Sequence, residues 1–168
     1  MINVELAPIT GQALFRLALW NDDGRARVGA DLAAALPPPC RAIDAGALRV
    51  IWLEGDHWLI ACPQDQANAT LALLAAVAGT DGTVVEVTAA LQGCCISGPG
   101  WRDLLMIAGV FDAESPDLVA GSVARTVMHH SSLLIDVLAA DRVHAYVPSS
   151  YAAEFFAFWA AAIVRLHS

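Results

Sequence analysis

No lysine occurs in this chain; nine arginines carry all of its basic side-chain charge against 17 acidic residues, leaving a formal net charge of −8. Duplex nucleic acid and acidic membrane surfaces are excluded as general partners, since their phosphates would be repelled and no basic stripe interleaved with aromatics offsets this. Charged residues of all kinds make up 15%, well under the roughly 25% of an ordinary soluble chain. Against that shortage stands 57% hydrophobic residues, much of it alanine, so apolar surface is expected to remain for a partner. Long apolar runs are also missing. The longest near the end, Phe155 to Val164, is about half the ~20 residues a bilayer-spanning helix needs. The first residues, Met-Ile-Asn-Val-Glu-Leu, lack the basic segment, apolar stretch and small-residue site of an export signal, so a cytoplasmic location is expected. Cys40, Cys62, Cys94 and Cys95 show no CxxC or other metal-ligand spacing and are expected to be buried free thiols.

What is present is a repeat. The segment ALRVIWLEGDHWLIACP (47–63) lies over SLLIDVLAADRVHAYVP (132–148) without a gap. Each is an apolar strand, a turn at Asp56 or Asp141, a second apolar strand, and then Pro63 or Pro148. A helix is predicted after each proline: one capped by Asp65 and running to about Val77, with Leu71, Leu74 and Ala78 on one stripe and Gly79 closing it, and one capped by Ser149 or Ser150 and running to about Arg165. The second carries a bulky face of Phe155, Phe156, Trp159 and Ile163.

Each half opens with a further strand and helix. Gln12–Leu19 is predicted as a strand, Asn21-Asp22-Asp23-Gly24 as a loop, and Val28 to Leu36 as a short helix stopped by Pro37-Pro38-Pro39. In the second half Gly93–Ile96 reads as a strand, Ser97-Gly98-Pro99-Gly100 as a tight turn, and Trp101–Ala108 as a helix ended by Gly109. Thr83–Val87 offers a last strand to the first half and Val123–Met128 an extra one to the second. The expected fold is α+β: two pseudo-repeated split βαβ-type halves, antiparallel sheets with helices packed on one face. The halves are placed at 1–80 and 81–168, packed as one compact unit.

The candidate chemistry is sparse. His129 and His130, read as strand neighbours, point to opposite faces and cannot chelate together; His57 falls in a hairpin turn and His144 among apolar neighbours. Cys94 and Cys95 have no adjacent base or cation to activate a thiolate. The Ser97–Gly100 turn matches neither a P-loop nor a dinucleotide fingerprint, and Asp56, Asp141 and Asp136 form no acid/base pair. The residues therefore argue for no catalytic residue, no cofactor-binding residue and no metal ligand in this chain, with Trp58, Phe155, Phe156 and Trp159 as candidate partner contacts.

Several stretches, in order along the chain, resemble the gamma subunit family of heterotetrameric sarcosine oxidase, a relative of the aminomethyltransferase fold of the glycine cleavage system. They are Leu48–Ile60, Val85-Glu86-Val87-Thr88, Ser97-Gly98-Pro99 followed by Arg102-Asp103-Leu104-Leu105, Ala124-Arg125-Thr126, and Tyr146-Val147-Pro148-Ser149-Ser150-Tyr151-Ala152. Of these, Ser97, Gly98, Pro99, Arg125, Thr126 and Tyr151 are the family-motif positions. The chain departs from the family at Thr88–Gln92, where an expected arginine is absent. The resemblance implies a structural subunit of a flavoenzyme complex that oxidatively demethylates sarcosine or a related N-methyl amino acid. The implied partners are a large flavoprotein alpha subunit with beta and delta subunits; FAD, FMN and NAD would lie in those partners, with tetrahydrofolate as the acceptor of the one-carbon unit. Two other readings compete: an independent folate-binding one-carbon transfer protein, and a dimerising small-molecule-binding regulatory domain.

Overall fold

The computed structural model describes residues 3–32, 34–107 and 112–165. Among them are ten strands in two five-stranded antiparallel sheets and four α-helices. The chain forms two compact units, Gly11–Thr88 and a second made of Met1–Thr10 with Ala89–Ser168.

In the Gly11–Thr88 unit the elements are β2 (Gln12–Leu19), α1 (Asp22–Asp31), β3 (Ala42–Ala45), β4 (Leu48–Glu54), β5 (His57–Pro63), a 3-10 turn at Gln64–Gln66, α2 (Ala67–Ala78) and β6 (Gly82–Glu86). Sheet order is β3-β4-β5-β2-β6. Side chains alternate across a strand, so Phe15 and Leu17 of β2, Trp58 and Ile60 of β5 and Val50 of β4 share the face that packs against Val28 of α1 and Leu74 of α2. The second unit has β1 (Glu5–Pro8), β7 (Leu91–Ser97), α3 (Trp101–Met106), β8 (Val123–Met128), β9 (Ser131–Ala139), β10 (Arg142–Pro148) and α4 (Ala152–Arg165), in sheet order β1-β7-β10-β9-β8. Its core joins Ile96, Ile135 and Val143 to Trp101, Phe155 and Trp159.

The pseudo-repeat extends below the level of the sequence. Pairing skips Leu53 in the β4–β5 hairpin and Leu138 in β9–β10, so both hairpins bulge at the corresponding position. The turn aspartates accept equivalent bonds through their carbonyls: Leu19 N to Asp56 O at 3.1 Å, Gly98 N to Asp141 O at 2.8 Å. The residue after each hairpin proline donates to the carbonyl just before the strand that pairs with that hairpin, Gln64 N to Gly11 O before β2 at 2.8 Å and Ser149 N to Ala90 O before β7 at 3.0 Å. Proline thus ends each hairpin because it has no donor to continue the ladder, and the next amide ties the helix start back to the sheet.

The first strand of the chain completes the sheet of the second unit. β6 pairs with β2 and runs on into Val87 N to Leu14 O, 2.8 Å; the equivalent place beside β7 is taken by β1, which runs on into Ile9 N to Gly93 O, 2.9 Å. The units accordingly do not divide near Asp81, where the sequence placed the boundary: β6 completes the first sheet, and residues 1–10 belong with the second.

Local expectations differ at the helices. α1 begins at Asp22 rather than Val28, because Asn21 caps it: the side-chain oxygen accepts from Gly24 N at 2.8 Å, with Asp22 and Asp23 in the positive first turn. Asn-Asp-Asp-Gly is a helix start, not a loop. Asp65 caps nothing; it sits in the 3-10 turn, and α2 starts two residues later without a side-chain cap. α4 starts at Ala152, after backbone turns from Tyr151 N to Pro148 O and Ala152 N to Ser149 O. Ala108 and Gly109, the expected end of α3, lie outside the described residues. His129 and His130 form the β8–β9 turn instead of continuing a strand, His129 having a positive φ of 55° and its ring edge-on to Phe158 at 4.8 Å.

Candidate functional site

A cleft of about 680 Å³ lies in Gly11–Thr88, between α1, the proline run and the β4–β5 hairpin. Its floor is aromatic. Trp52 and Trp58 are cross-strand partners in that hairpin, and both indole N–H groups are already used, Trp52 donating to Gly55 O and Trp58 to Pro37 O, each at 3.0 Å. Pro37, Pro38 and Pro39 form one wall and have no N–H to offer. α1 contributes Ala26 and Gly29, small enough to leave the space open, and Arg25 at the rim. The Arg25 guanidinium bridges Asp22 and Asp56, so two carboxylates meet one cation there.

A second network holds α1 in place. Asp81 accepts from Asn21 Nδ2 at 2.9 Å and from Arg27 Nη2 at 2.5 Å, while Arg27 Nε also donates to Val77 O at 3.0 Å. The Asn21 and Arg27 hydrogen bonds hold the Asp81 carboxyl below its ordinary value. The stabilisation they give is therefore present above the unfolded carboxylate pKa and lost as pH falls through the lower, folded one. Asp81→Asn should flatten the fall in melting temperature below about pH 4, measured by calorimetry across pH 2–6; an unchanged acid limb would remove Asp81 from this role.

The residues expected at a partner surface fall mainly inside. Trp58, Phe155 and Trp159 are buried within their own units, at 3%, 1% and 0% exposure, and Phe156 is half-buried, stacked on Trp159 at 6.0 Å. The aromatic face of α4 closes its own core, Phe155 and Trp159 clustering with Ile135, Val137 and Val143 of the sheet. Trp58 borders the cleft from within the core.

The motif positions are not gathered into one place. Ser97 ends β7, whereas Arg125 and Thr126 lie in β8, three strands away across the sheet; Tyr151 is exposed just before α4. Ser97-Gly98-Pro99-Gly100 serves as a clasp. Gly98 has φ +117°, and a Cβ there would stand 2.3 Å from Asn3 O. Gly100 N bonds that same carbonyl at 3.3 Å, so the turn grips the residues leading into β1. Gly98→Ala should cost roughly 1–3 kcal/mol for the backbone conformation alone, read as a lower denaturant midpoint; parental stability would mean the strand does not pass here. Arg102, in the adjoining motif, lies 4.4 Å over the Trp101 ring and donates to the carbonyls of Ala113 and Leu118, pinning the loop before β8.

The cysteines are all free, but not all buried: Cys40 is exposed in the turn after the prolines, with φ 61°. Burial, and then the neighbouring Cys95, push the Cys94 thiol up to about 11, and burial also raises Cys95 against the pull of Arg142. Near neutral pH the Cys94 thiol is protonated and a poor nucleophile. Iodoacetamide should therefore modify Cys40 in the native chain well before Cys94, as followed by peptide mass spectrometry; equal rates would contradict this placement. Among the described residues no three His, Cys, Asp or Glu side chains are grouped to hold a metal.

Comparison with known proteins agrees with the fold. The model of the family described as "Sarcosine oxidase, gamma subunit family" matches residues 22–164. A chain of heterotetrameric sarcosine oxidase from Corynebacterium sp. U-96, in complex with pyrrole 2-carboxylate, superposes with a TM-score of 0.88 at 18% identity, covering 98% of this chain and 86% of that one. The glycine cleavage system aminomethyltransferase T from Bartonella henselae gives 0.69 at 16% identity over 93% of this chain, which spans 45% of that protein. The regulatory subunit of aspartate kinase from Thermus thermophilus, in its ligand-free form, gives 0.53 at 14% identity, over 94% and 97%. No curated protein matches the sequence. A family model that runs from the first helix to the end of the last, on a fold shared almost throughout with a sarcosine oxidase chain, places this protein in the sarcosine oxidase gamma subunit family.

Proposed function

We propose that this chain is a non-catalytic structural gamma subunit of a heteromeric, sarcosine-oxidase-like flavoenzyme. Its complex would oxidise the N-methyl group of sarcosine or of a related secondary amino acid, in the cytoplasm. The carrying observation is the family match over residues 22–164. The structural subunit role is supported by how the polar side chains are spent: Arg25, Arg27 and Arg102 join helices and loops, and the thiols of Cys94 and Cys95 are held protonated. FAD, FMN and NAD belong to the alpha and beta partners with delta beside them, and tetrahydrofolate takes the one-carbon unit within the complex. This chain's own concavities fit such groups poorly. The glycine turn's Gly98 and Gly100 amides are taken by Asp141 and Asn3, and the cleft offers one guanidinium already facing two carboxylates, so a pyrophosphate would find few donors and a repelling rim.

Co-expression of the flavoprotein subunits with and without this chain tests the reading. The expected result is that sarcosine-dependent peroxide formation needs this chain for a stable preparation, while the chain alone carries no visible flavin absorbance. Flavin or saturable tetrahydrofolate bound to the isolated chain would overturn the non-catalytic assignment.

A further inference from the structure

The cleft has the make-up of an anchor pocket for a protein segment, and the argument starts from what its walls can donate. With both indole N–H groups bonded internally and three prolines in line, the lining is mostly ring face and aliphatic carbon, and its charged side chains, Arg25 and Asp56, are already paired with each other. A polar metabolite would leave its donors and acceptors unpaired against such walls, at a cost of about 1–3 kcal/mol for each buried group. An apolar side chain loses nothing by entering, and the half-buried Trp52 ring with the proline run beside it gives it a rigid contact surface, backed from within the core by Trp58.

The rim adds a charge preference. Arg25 is paired with two carboxylates, those of Asp22 and Asp56, whose side chains are 88% and 48% exposed. Ion pairs this open are worth only about 0–1 kcal/mol, so both aspartates can take up an additional cation without a costly rearrangement. An anionic occupant would meet the excess carboxylate, in a chain already at −8. The occupant that matches floor and rim together carries an apolar ring or aliphatic side chain next to an arginine or lysine. A single polypeptide segment supplies both at fixed spacing.

We infer that the Trp52–proline cleft receives a segment of a partner subunit, inserting one apolar side chain against Trp52 and the prolines with an adjacent basic residue on Asp22 and Asp56. The inference rests on the assembly reading above and adds where on this chain the partner is held.

The experiment uses the full chain co-expressed with the flavoprotein subunits. Ala26 is an exposed helix residue on the cleft wall, so Ala26→Trp fills the space without touching the core. The expected result is at least a tenfold fall in flavoprotein recovered with the tagged chain, at a melting temperature within a few degrees of the parent's. A photo-crosslinking amino acid at position 26 should join the parent complex to a partner peptide holding an apolar residue beside arginine or lysine. Parental recovery with Ala26→Trp overturns the inference, as does a crosslink to a small molecule, or none to a partner chain, in a complex that nonetheless assembles. If the unaltered chain recovers no flavoprotein, the assembly reading itself has failed, and the two failures are told apart by that control.

Discussion

Trp159→Ala should be the most damaging single substitution, lowering stability by about 3–5 kcal/mol. The indole is fully buried and touches two other rings, edge-on to Phe155 at 5.8 Å and stacked on Phe156 at 6.0 Å, so its removal opens a cavity that the sheet cannot collapse to fill. Trp159→Phe separates packing from polarity. The indole Nε1 is buried with no hydrogen-bond partner, a state that costs about 1–3 kcal/mol. Phenylalanine gives up ring area but also that unpaired donor, so the two effects offset and its loss should stay within about 2 kcal/mol. Denaturant melts of both variants decide it. A Phe variant as unstable as the Ala variant would mean the nitrogen is doing something the packing does not reveal.

Deleting residues 1–8 should produce the second large effect, and an uneven one. It removes β1 from β7 together with Val4 from the core and the Asn3 carbonyl from the glycine clasp. Losing one buried valine and several ladder hydrogen bonds amounts to something on the order of 3 kcal/mol. The loss falls on the unit to which β1 belongs. Hydrogen exchange should show the amides of β7 and β10 speeding up while those of β2 and β5 change little. Faster exchange in β2 and β5, with β7 unaffected, would mean that the first strand belongs to the Gly11–Thr88 unit after all.

How much of this was legible in the sequence follows from which forces act locally. The two hairpins and the helices after them were readable, because alternation, a turn aspartate and a terminating proline are all encoded within a few residues of where they act. The pairing of β1 with β7 was not. Four residues ending in Pro8 make a weak edge strand, and its choice of β7 over β2 is a long-range pairing that no local pattern specifies. The start of α1 was misread for another reason: Asn-Asp-Asp-Gly has the composition of a turn and of a helix N-terminus alike, and the cap at Asn21 settles it only in three dimensions.

The candidate site divides in the same way. The aromatic spacing of α4 predicted a bulky face correctly but could not say what covered it; the core of its own sheet does, through Ile135, Val137 and Val143. The cleft escaped notice because its parts are apart in the chain, at 25–29, 35–39 and 52–58. Its signals were visible separately, as a run of three prolines and a hairpin with tryptophan on both strands. What joins them is the hydrogen bond from Trp58 Nε1 to Pro37 O, which folds the proline run onto the indoles.

The most direct test is affinity purification of the tagged full chain co-expressed with the flavoprotein subunits of a sarcosine oxidase. Recovery of flavin-bearing subunits in fixed stoichiometry with this chain, itself free of flavin, is the predicted result. A stable, isolated monomer with no flavoprotein attached would contradict it.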